Sequence, residues 1–431
     1  MTLRHAGSAI TSRDRNAELL LLSGSTAFIL VAWRALDAAG FTMPATSGRI
    51  LTQFLTSALL GHVGLRVVAP RAAGQPYAIV LLLCAIGLVF VTRLVPSVAQ
   101  AQANWITFGV ILMLGSSAAA SRYLLLRRYK YTAALIAVLL LVATGLFGTT
   151  INGARLWFRV AGQTVQTTEL IKLFLVVFIA GYLADMGGAL AAPRLRFAGR
   201  TYSALPYAIP LVLTLVTAMA MIALLKDLGQ IVLLIMLAMA MVYVATGRLV
   251  YVFGGIVLLG VSLVLGYLAF DHARTRIDVW IDPYSDSAGA GYQTLQSVYA
   301  IEAGGITGEG LGLGDPEAIP IVSTDYIYSA IAEELGLAGA LGVGLLYLLL
   351  LVAGFRIALS ARDDFGRLLA ACIALLLAIQ AAVIIAGNLR LIPTTGITLP
   401  FVSYGGSSLV VNFMLVGLLL GISNRANQSQ A

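Results

Sequence analysis

Runs of about 20 apolar residues recur along this chain, and each is long enough to cross roughly 30 Å of hydrocarbon as a helix. They fall near residues 18–37, 50–69, 77–97, 104–126, 131–149, 168–187, 206–225, 229–247, 249–270, 324–352, 367–390 and 400–423, which predicts about twelve helices. Hydrophobic residues make up 60% of the sequence and charged residues only 11%, whereas about a quarter of a soluble globule is charged. The fold class expected is all-α: a polytopic integral membrane protein of about 10–12 transmembrane helices with a large extracytoplasmic loop. Transmembrane β-barrels are excluded, because their segments are short and alternating.

The formal net charge of +8 would suggest nucleic acid as a partner in a soluble protein. Here it is distributed by loop. Arg13 and Arg15, Arg66 and Arg71, Arg122 to Lys130, Arg194 to Arg200, Arg248, Arg356 to Arg367 and Arg425 fall in alternate connections. That positive-inside bias predicts both termini in the cytoplasm, membrane lipid as the surrounding partner and no nucleic acid. The chain divides into a cytoplasmic tail (1–17), N-terminal transmembrane helices (18–150) and a larger unit (151–431) carrying the extracytoplasmic loop 271–323. The N-terminus lacks a short apolar core and small-residue cleavage site, so no removable signal peptide is expected. Cys84 and Cys372 lie inside apolar runs and read as small core residues.

Chemistry has to be sought where polar residues interrupt this background. The longest interruption runs from Arg274 through Arg276, Gly291-Tyr292-Gln293 and Gly308-Glu-Gly-Leu-Gly312 to Ser323-Thr324-Asp325-Tyr326. Its glycine cluster lacks the preceding strand and following helix of a nucleotide-binding loop, so it reads as a flexible turn. Asp325 stands at the start of a helix, where a first-turn carboxylate suits the dipole, and where a carboxylate on the outer surface would equally serve as a general base. Arg155, Trp157 and Arg159 on an outward loop suit either an interfacial anchor or a phosphate group. Glu169 and Lys172 lie one turn apart on one helix face, as an ion pair or as cavity-lining charges. Lys226-Asp227-Leu-Gly229-Gln230 breaks two apolar runs at the outer rim. Two prolines and three glycines between Arg390 and Gly406 predict a bent or re-entrant segment. With histidine only at positions 5, 62 and 272, zinc hydrolysis and serine-type proteolysis are poor fits. No internal repeat is evident, which argues against a transporter built on inverted repeats.

Six of these stretches occur together and in one order: Asn152 to Trp157, Gln166 to Lys172, Lys226 to Gly229, Arg276 to Gln293, Thr324 to Gly336 and Gly396 to Ser408. In this the chain resembles the shape, elongation, division and sporulation (SEDS) family. The opening Arg15-Asn-Ala-Glu-Leu-Leu-Leu-Leu and the Arg390-Leu-Ile-Pro run are similar to its longer actinobacterial members. The resemblance implies an inverting peptidoglycan glycosyltransferase that polymerises lipid II, releases undecaprenyl pyrophosphate and works with a class B penicillin-binding protein. It makes Asp325 the catalytic acid of the family motif. It makes Arg155, Trp157, Glu169, Lys172, Arg276, Gln293, Ser403, Gly405, Gly406 and Ser407 candidates for substrate contact. Thr167, Leu156, Ser323 and Tyr326 depart from the family pattern, and the helices surplus to the family's usual ten precede Asn152. No cofactor is implied, and assistance by a divalent cation is left open. A lipid II flippase or a non-catalytic scaffold of a cell-wall synthase are the rival readings, and the sequence does not separate elongation from division.

Overall fold

The computed structural model describes residues 12–151, 154–160, 162–192, 194–197, 200–203 and 205–428. Asn152, at the head of the first motif, and the first eleven residues of the tail lie outside the described residues. In chain order the helices are α1 (Ser12–Ala38), α2 (Ser47–Val68), α3 (Gln75–Leu94), α4 (Pro96–Ala119), α5 (Leu124–Arg128), α6 (Lys130–Phe147), α7 (Thr167–Ala191), α8 (Ile209–Leu224), α9 (Leu228–Thr246), α10 (Leu249–Ala269), α11 (Asp271–Ile281), α12 (Tyr292–Gly304), α13 (Ile327–Ser360), α14 (Asp364–Asn388) and α15 (Gly406–Gln428). Eleven of them are long and apolar enough to span a membrane, and α8 is a shorter apolar helix. The chain is a multi-pass, all-α membrane protein. The loop from 271 to 323 is not irregular throughout, since α11 and α12 occupy much of it.

Punctuation follows local chemistry. Pro76 and Pro96 sit in the first turns of α3 and α4, where a missing N–H costs nothing. Asp227 and Asp363 cap α9 and α14 by accepting from the N–H groups of Gln230 and Gly366. A small antiparallel sheet, β1 (Thr149–Ile151), β2 (Ala154–Val160) and β3 (Gln163–Gln166), joins α6 to α7. A two-stranded hairpin, β4 (Arg194–Phe197) and β5 (Arg200–Ser203), follows α7.

α3, α7, α14 and α15 form the buried centre, and α10 is almost wholly exposed to the surroundings. α15 packs closely on α4 because Gly417 and Gly421, four residues apart, meet Met113, Ser116, Ser117 and Ala120 without an intervening side chain. This is the small-xxx-small seam by which membrane helices approach. α1 packs against α3, α2 against α4, and α13 against α14.

α13 is broken at Gly336, whose φ of 63 and ψ of −165 interrupt the helix. The carbonyls of Glu333 and Glu334, freed by that break, accept from the N–H groups of Glu309 and Gly310 at 2.9 and 3.0 Å. The glycine-rich stretch is therefore a belt that satisfies a broken helix rather than a flexible turn. Arg93 of α3 fastens the same belt: it pairs with Glu317, lies 3.2 Å from Glu334 and donates to Gly314 O at 3.1 Å.

Candidate active site

Asp325 is held by its backbone from several sides. Ser403 Oγ donates to the carbonyl of Thr324, and Tyr404 N donates to Ser323 O at 2.9 Å. Asn388 Nδ2 donates to Asp325 O at 2.9 Å, while its Oδ1 accepts from Ser329 Oγ at 3.1 Å. The residue thus sits where the last turn of α14, the re-entrant segment before α15 and the start of α13 meet. Such a fixed backbone restricts where the carboxyl can point. Burial raises the Asp325 carboxyl above its ordinary range, opposed by the Thr324 hydroxyl and the Arg276 guanidinium. Its cavity is lined by Tyr326, Ile384, Gly387, Asn388, Thr394, Thr395, Gly396 and Ile397. At about 10 Å³ it offers about the space of one water.

Arg276 on α11 is the cation at this cavity. Its Nη1 donates to Thr394 O at 3.1 Å, and a Cβ on Gly396 would come within 2.8 Å of its Nη2. Gly396 also has φ +70, a backbone conformation that favours glycine, and the guanidinium would have to give way to any side chain there. Trp280, one turn further along α11, donates from Nε1 to Arg390 O at 3.1 Å, and Arg390 returns hydrogen bonds to the carbonyls of Trp280 and Ile281. The re-entrant segment and α11 are thereby stitched together along one face.

A second polar cluster lies at the start of α7 and α9. Lys172 Nζ is 2.7 Å from Glu169 Oε2 and donates to Gln380 Oε1 at 2.8 Å. Gln230 Nε2 reaches Glu169 Oε1 at 3.4 Å, and its backbone N–H caps onto Asp227. Gln380 Nε2 continues to Thr398 O at 2.8 Å, and Thr398 Oγ1 to Ser408 Oγ at 2.8 Å. Below this chain an apolar cavity is lined by Ile171, Leu175, Ile222, Leu233, Leu234, Leu237 and Leu376, with Lys172, Thr168 and Gln230 at its polar end. Among the described residues no ion pair joins Lys172 to Asp325, and the two line separate cavities. The Glu169–Lys172 ion pair, one of the two readings of their spacing, is present, and Lys172 also lines a cavity.

The other sequence candidates are distributed more widely. Arg155 is exposed and donates to Gly145 O at 2.9 Å, at the end of α6. Trp157 is half-buried in β2, opposite Gln166. Gln293 donates to Pro320 O at 2.6 Å within the outer loop. Ser403 is a clamp for the backbone beside Asp325. Gly405 faces Thr398, Gly406 lies against the Trp105 ring, and Ser407 Oγ accepts from Gln166 N at 2.9 Å. These contacts build the re-entrant turn and its junction with α7. Thr167, one of the departures from the family pattern, donates to Leu156 O at 3.0 Å and so binds α7 to β2.

Asn388, Gln380 and Arg93 were not among the sequence candidates. Each is a single polar residue in an apolar run, and that isolation within a membrane segment is the signal that marks them. Among the described residues no group of three His, Cys, Asp or Glu side chains is arranged to hold a metal ion.

The family model described as cell cycle protein, covering FtsW, RodA and SpoVE, matches residues 51–428. The peptidoglycan glycosyltransferase RodA of Mycobacterium tuberculosis is 35% identical over 96% of this chain and 91% of its own length. A probable peptidoglycan glycosyltransferase FtsW of Geobacter metallireducens is 37% identical over 67% of this chain and 74% of its own. Among solved structures, a chain of a peptidoglycan synthase complex that coordinates polymerisation and crosslinking superposes with a TM-score of 0.66 at 26% identity, covering 83% of this chain and 99% of that one. The rod shape determining protein RodA of Thermus thermophilus superposes with a TM-score of 0.60 at 25% identity, covering 83% of this chain and 98% of that one. With its membrane helices, its ordered motifs and the residues from 51 to 428 all accounted for in this way, the chain is a member of the FtsW/RodA/SpoVE family of cell cycle proteins.

Proposed function

We propose that this protein is a peptidoglycan glycosyltransferase that polymerises lipid II on the outer side of the cytoplasmic membrane, with Asp325 as its general base. The observation that carries the assignment of Asp325 is its setting: a carboxyl of raised proton affinity, fixed through Ser403, Tyr404 and Asn388, beside Arg276. A scaffold needs neither the acid nor the guanidinium.

The chemistry follows from one base and a nearby cation. The acceptor sugar's 4-hydroxyl attacks the anomeric carbon of the lipid-linked donor, and its proton passes to the Asp325 carboxylate. The bond from that carbon to the pyrophosphate oxygen breaks, and the leaving group departs with the electron pair. A single displacement inverts the anomeric centre. Arg276 opposes the negative charge that develops. The apolar cavity beside Lys172, with Glu169, Lys172 and Gln230 at its polar end, holds about 20 Å³, so it has to open before part of a polyprenyl chain enters it. The 10 Å³ space at Asp325 means that the re-entrant segment or α11 has to shift before a sugar reaches the carboxyl.

The superposition on a chain from a synthase complex supports a class B penicillin-binding protein as partner, supplying the crosslinking step. The positive loops support cytoplasmic termini. Purified protein supplied with lipid II should yield glycan strands on a gel. Transfer of lipid II across vesicles without strands would instead establish the flippase, and neither activity would leave the scaffold.

A further inference from the structure

We propose that Lys226, His272 and Arg276 together form the site that holds the pyrophosphate of a polyprenyl-linked sugar at the outer boundary of the membrane. The inference rests on the glycosyltransferase reading above and extends it from Arg276 to Lys226 and His272, which that reading leaves unused.

The first observation is a stripe on α11. His272, Arg276 and Trp280 follow at four-residue intervals and so share one helix face. Arg276 and Trp280 both donate to the segment between Arg390 and Thr394, which turns this face toward the wall of the Asp325 cavity. α10 ends at Ala269 and α8 at Leu224. The stripe and the α8–α9 junction therefore lie at the end of the spans, the level at which a lipid phosphate resides.

The second is the backbone of Lys226. It is exposed and has φ 65, in the left-handed region, which strains a residue with a side chain and which glycine adopts readily. A glycine would make the α8–α9 turn more cheaply, so the turn does not explain the lysine. The α8–α9 junction and α11 meet the same segment: Gly229 lies against Thr395 and Ile397, and Arg276 against Thr394 and Gly396.

The third is His272 itself. Its Nε2 is buried and has no hydrogen-bond partner, and its ring leans on Phe270 at 5.7 Å. Burial holds the imidazole toward its neutral form, reinforced by Arg276 on its own helix and Lys226 from the α8–α9 junction, and opposed by Asp271. An anion between these groups reverses the balance and favours the imidazolium, which donates from both nitrogens. Three donors on two elements, a guanidinium fork and two point charges, suit two linked phosphates better than one.

The test uses the full-length protein in lipid nanodiscs, with radiolabelled undecaprenyl pyrophosphate and undecaprenyl monophosphate as probes at pH 6 and pH 8. Wild-type protein should bind the pyrophosphate about tenfold more tightly than the monophosphate, a difference of about 1.4 kcal/mol. Binding should also tighten at pH 6. Lys226→Gly removes the ammonium and the backbone strain together. It should weaken pyrophosphate binding about tenfold while thermal stability holds or rises, a combination that a purely structural lysine does not produce. His272→Gln should lose the part of the pH dependence that the phosphates' own titration does not supply. Wild-type affinity in Lys226→Gly, or an unchanged pH slope in His272→Gln, would overturn the site. Polymerisation of lipid II is measured on the same preparation. Strands without a preference for pyrophosphate defeat the site alone, and a preference without strands defeats the glycosyltransferase reading instead.

Discussion

The ammonium of Lys172 lies 2.7 Å from the carboxylate of Glu169, one turn earlier on α7, and both side chains are almost entirely buried. A charge pair in that position is neutral as a unit and costly when halved. Glu169→Gln and Lys172→Met should each destabilise the protein by about 3–5 kcal/mol, because each strands one buried charge. The double variant should recover most of that loss. Chemical denaturation of the purified protein in detergent reads both effects, and single variants within about 1 kcal/mol of wild type would show that the pair is not coupled in this way.

Asp325→Asn should abolish glycan polymerisation and leave membrane insertion and thermal stability near wild type, because the backbone clamps from Ser403, Tyr404 and Asn388 do not involve the carboxyl. The base acts only when ionised, and burial raises its pKa. The rate should therefore fall as pH drops through a value above the ordinary 3.8. Near wild-type strand yield from Asp325→Asn would remove Asp325 from the mechanism.

The membrane helices were legible because a span of hydrocarbon imposes its length on the sequence, and the breaks were legible because Gly, Pro and charge are rare in such spans. What stayed hidden was which polar break meets which. Lys172 turns to Gln380 on α14 and Arg93 to a loop more than two hundred residues away, and neither pairing leaves a trace in local spacing. Ser403 and Ser407, read as candidates for substrate contact, fasten the re-entrant turn. A hydroxyl that satisfies a bent backbone and one that binds a sugar are the same residue in the sequence.

Asp227 sets a pH dependence of stability. Burial pushes its carboxyl up to about 6, against the Gln230 N–H and the Thr168 hydroxyl, with Glu169 adding to the rise and Arg276 opposing it. A carboxyl whose folded pKa lies above its unfolded value adds stability below about pH 4 that is lost as pH rises through the folded value. Asp227→Asn keeps a competent helix cap and should flatten stability between about pH 4 and pH 6. Above that window the variant should be the more stable by up to about 3 kcal/mol, at 1.36 kcal/mol per pH unit. Unfolding curves across that range check it, and a variant less stable than wild type at pH 7 would mean that the charge is held by stronger partners than these.

Sidedness decides whether any of this chemistry meets a glycan strand. Arg and Lys crowd the loops on the side opposite the segment from Asp271 to Ser323, and orientation follows that bias. Ser287 in the outer loop and Ser360 at the end of α13 are both exposed, whereas Cys84 and Cys372 are buried. Single cysteines at Ser287 and at Ser360, in a background with Cys84 and Cys372 replaced by alanine, should therefore report topology without interference from the native thiols. On intact cells a membrane-impermeant thiol reagent should label the cysteine at 287 and leave the one at 360 unreacted until the cells are opened. The reverse pattern would put Asp325 and Arg276 in the cytoplasm, on the wrong side of the membrane for building a glycan strand, and would defeat the proposed catalytic step whatever the geometry around Asp325.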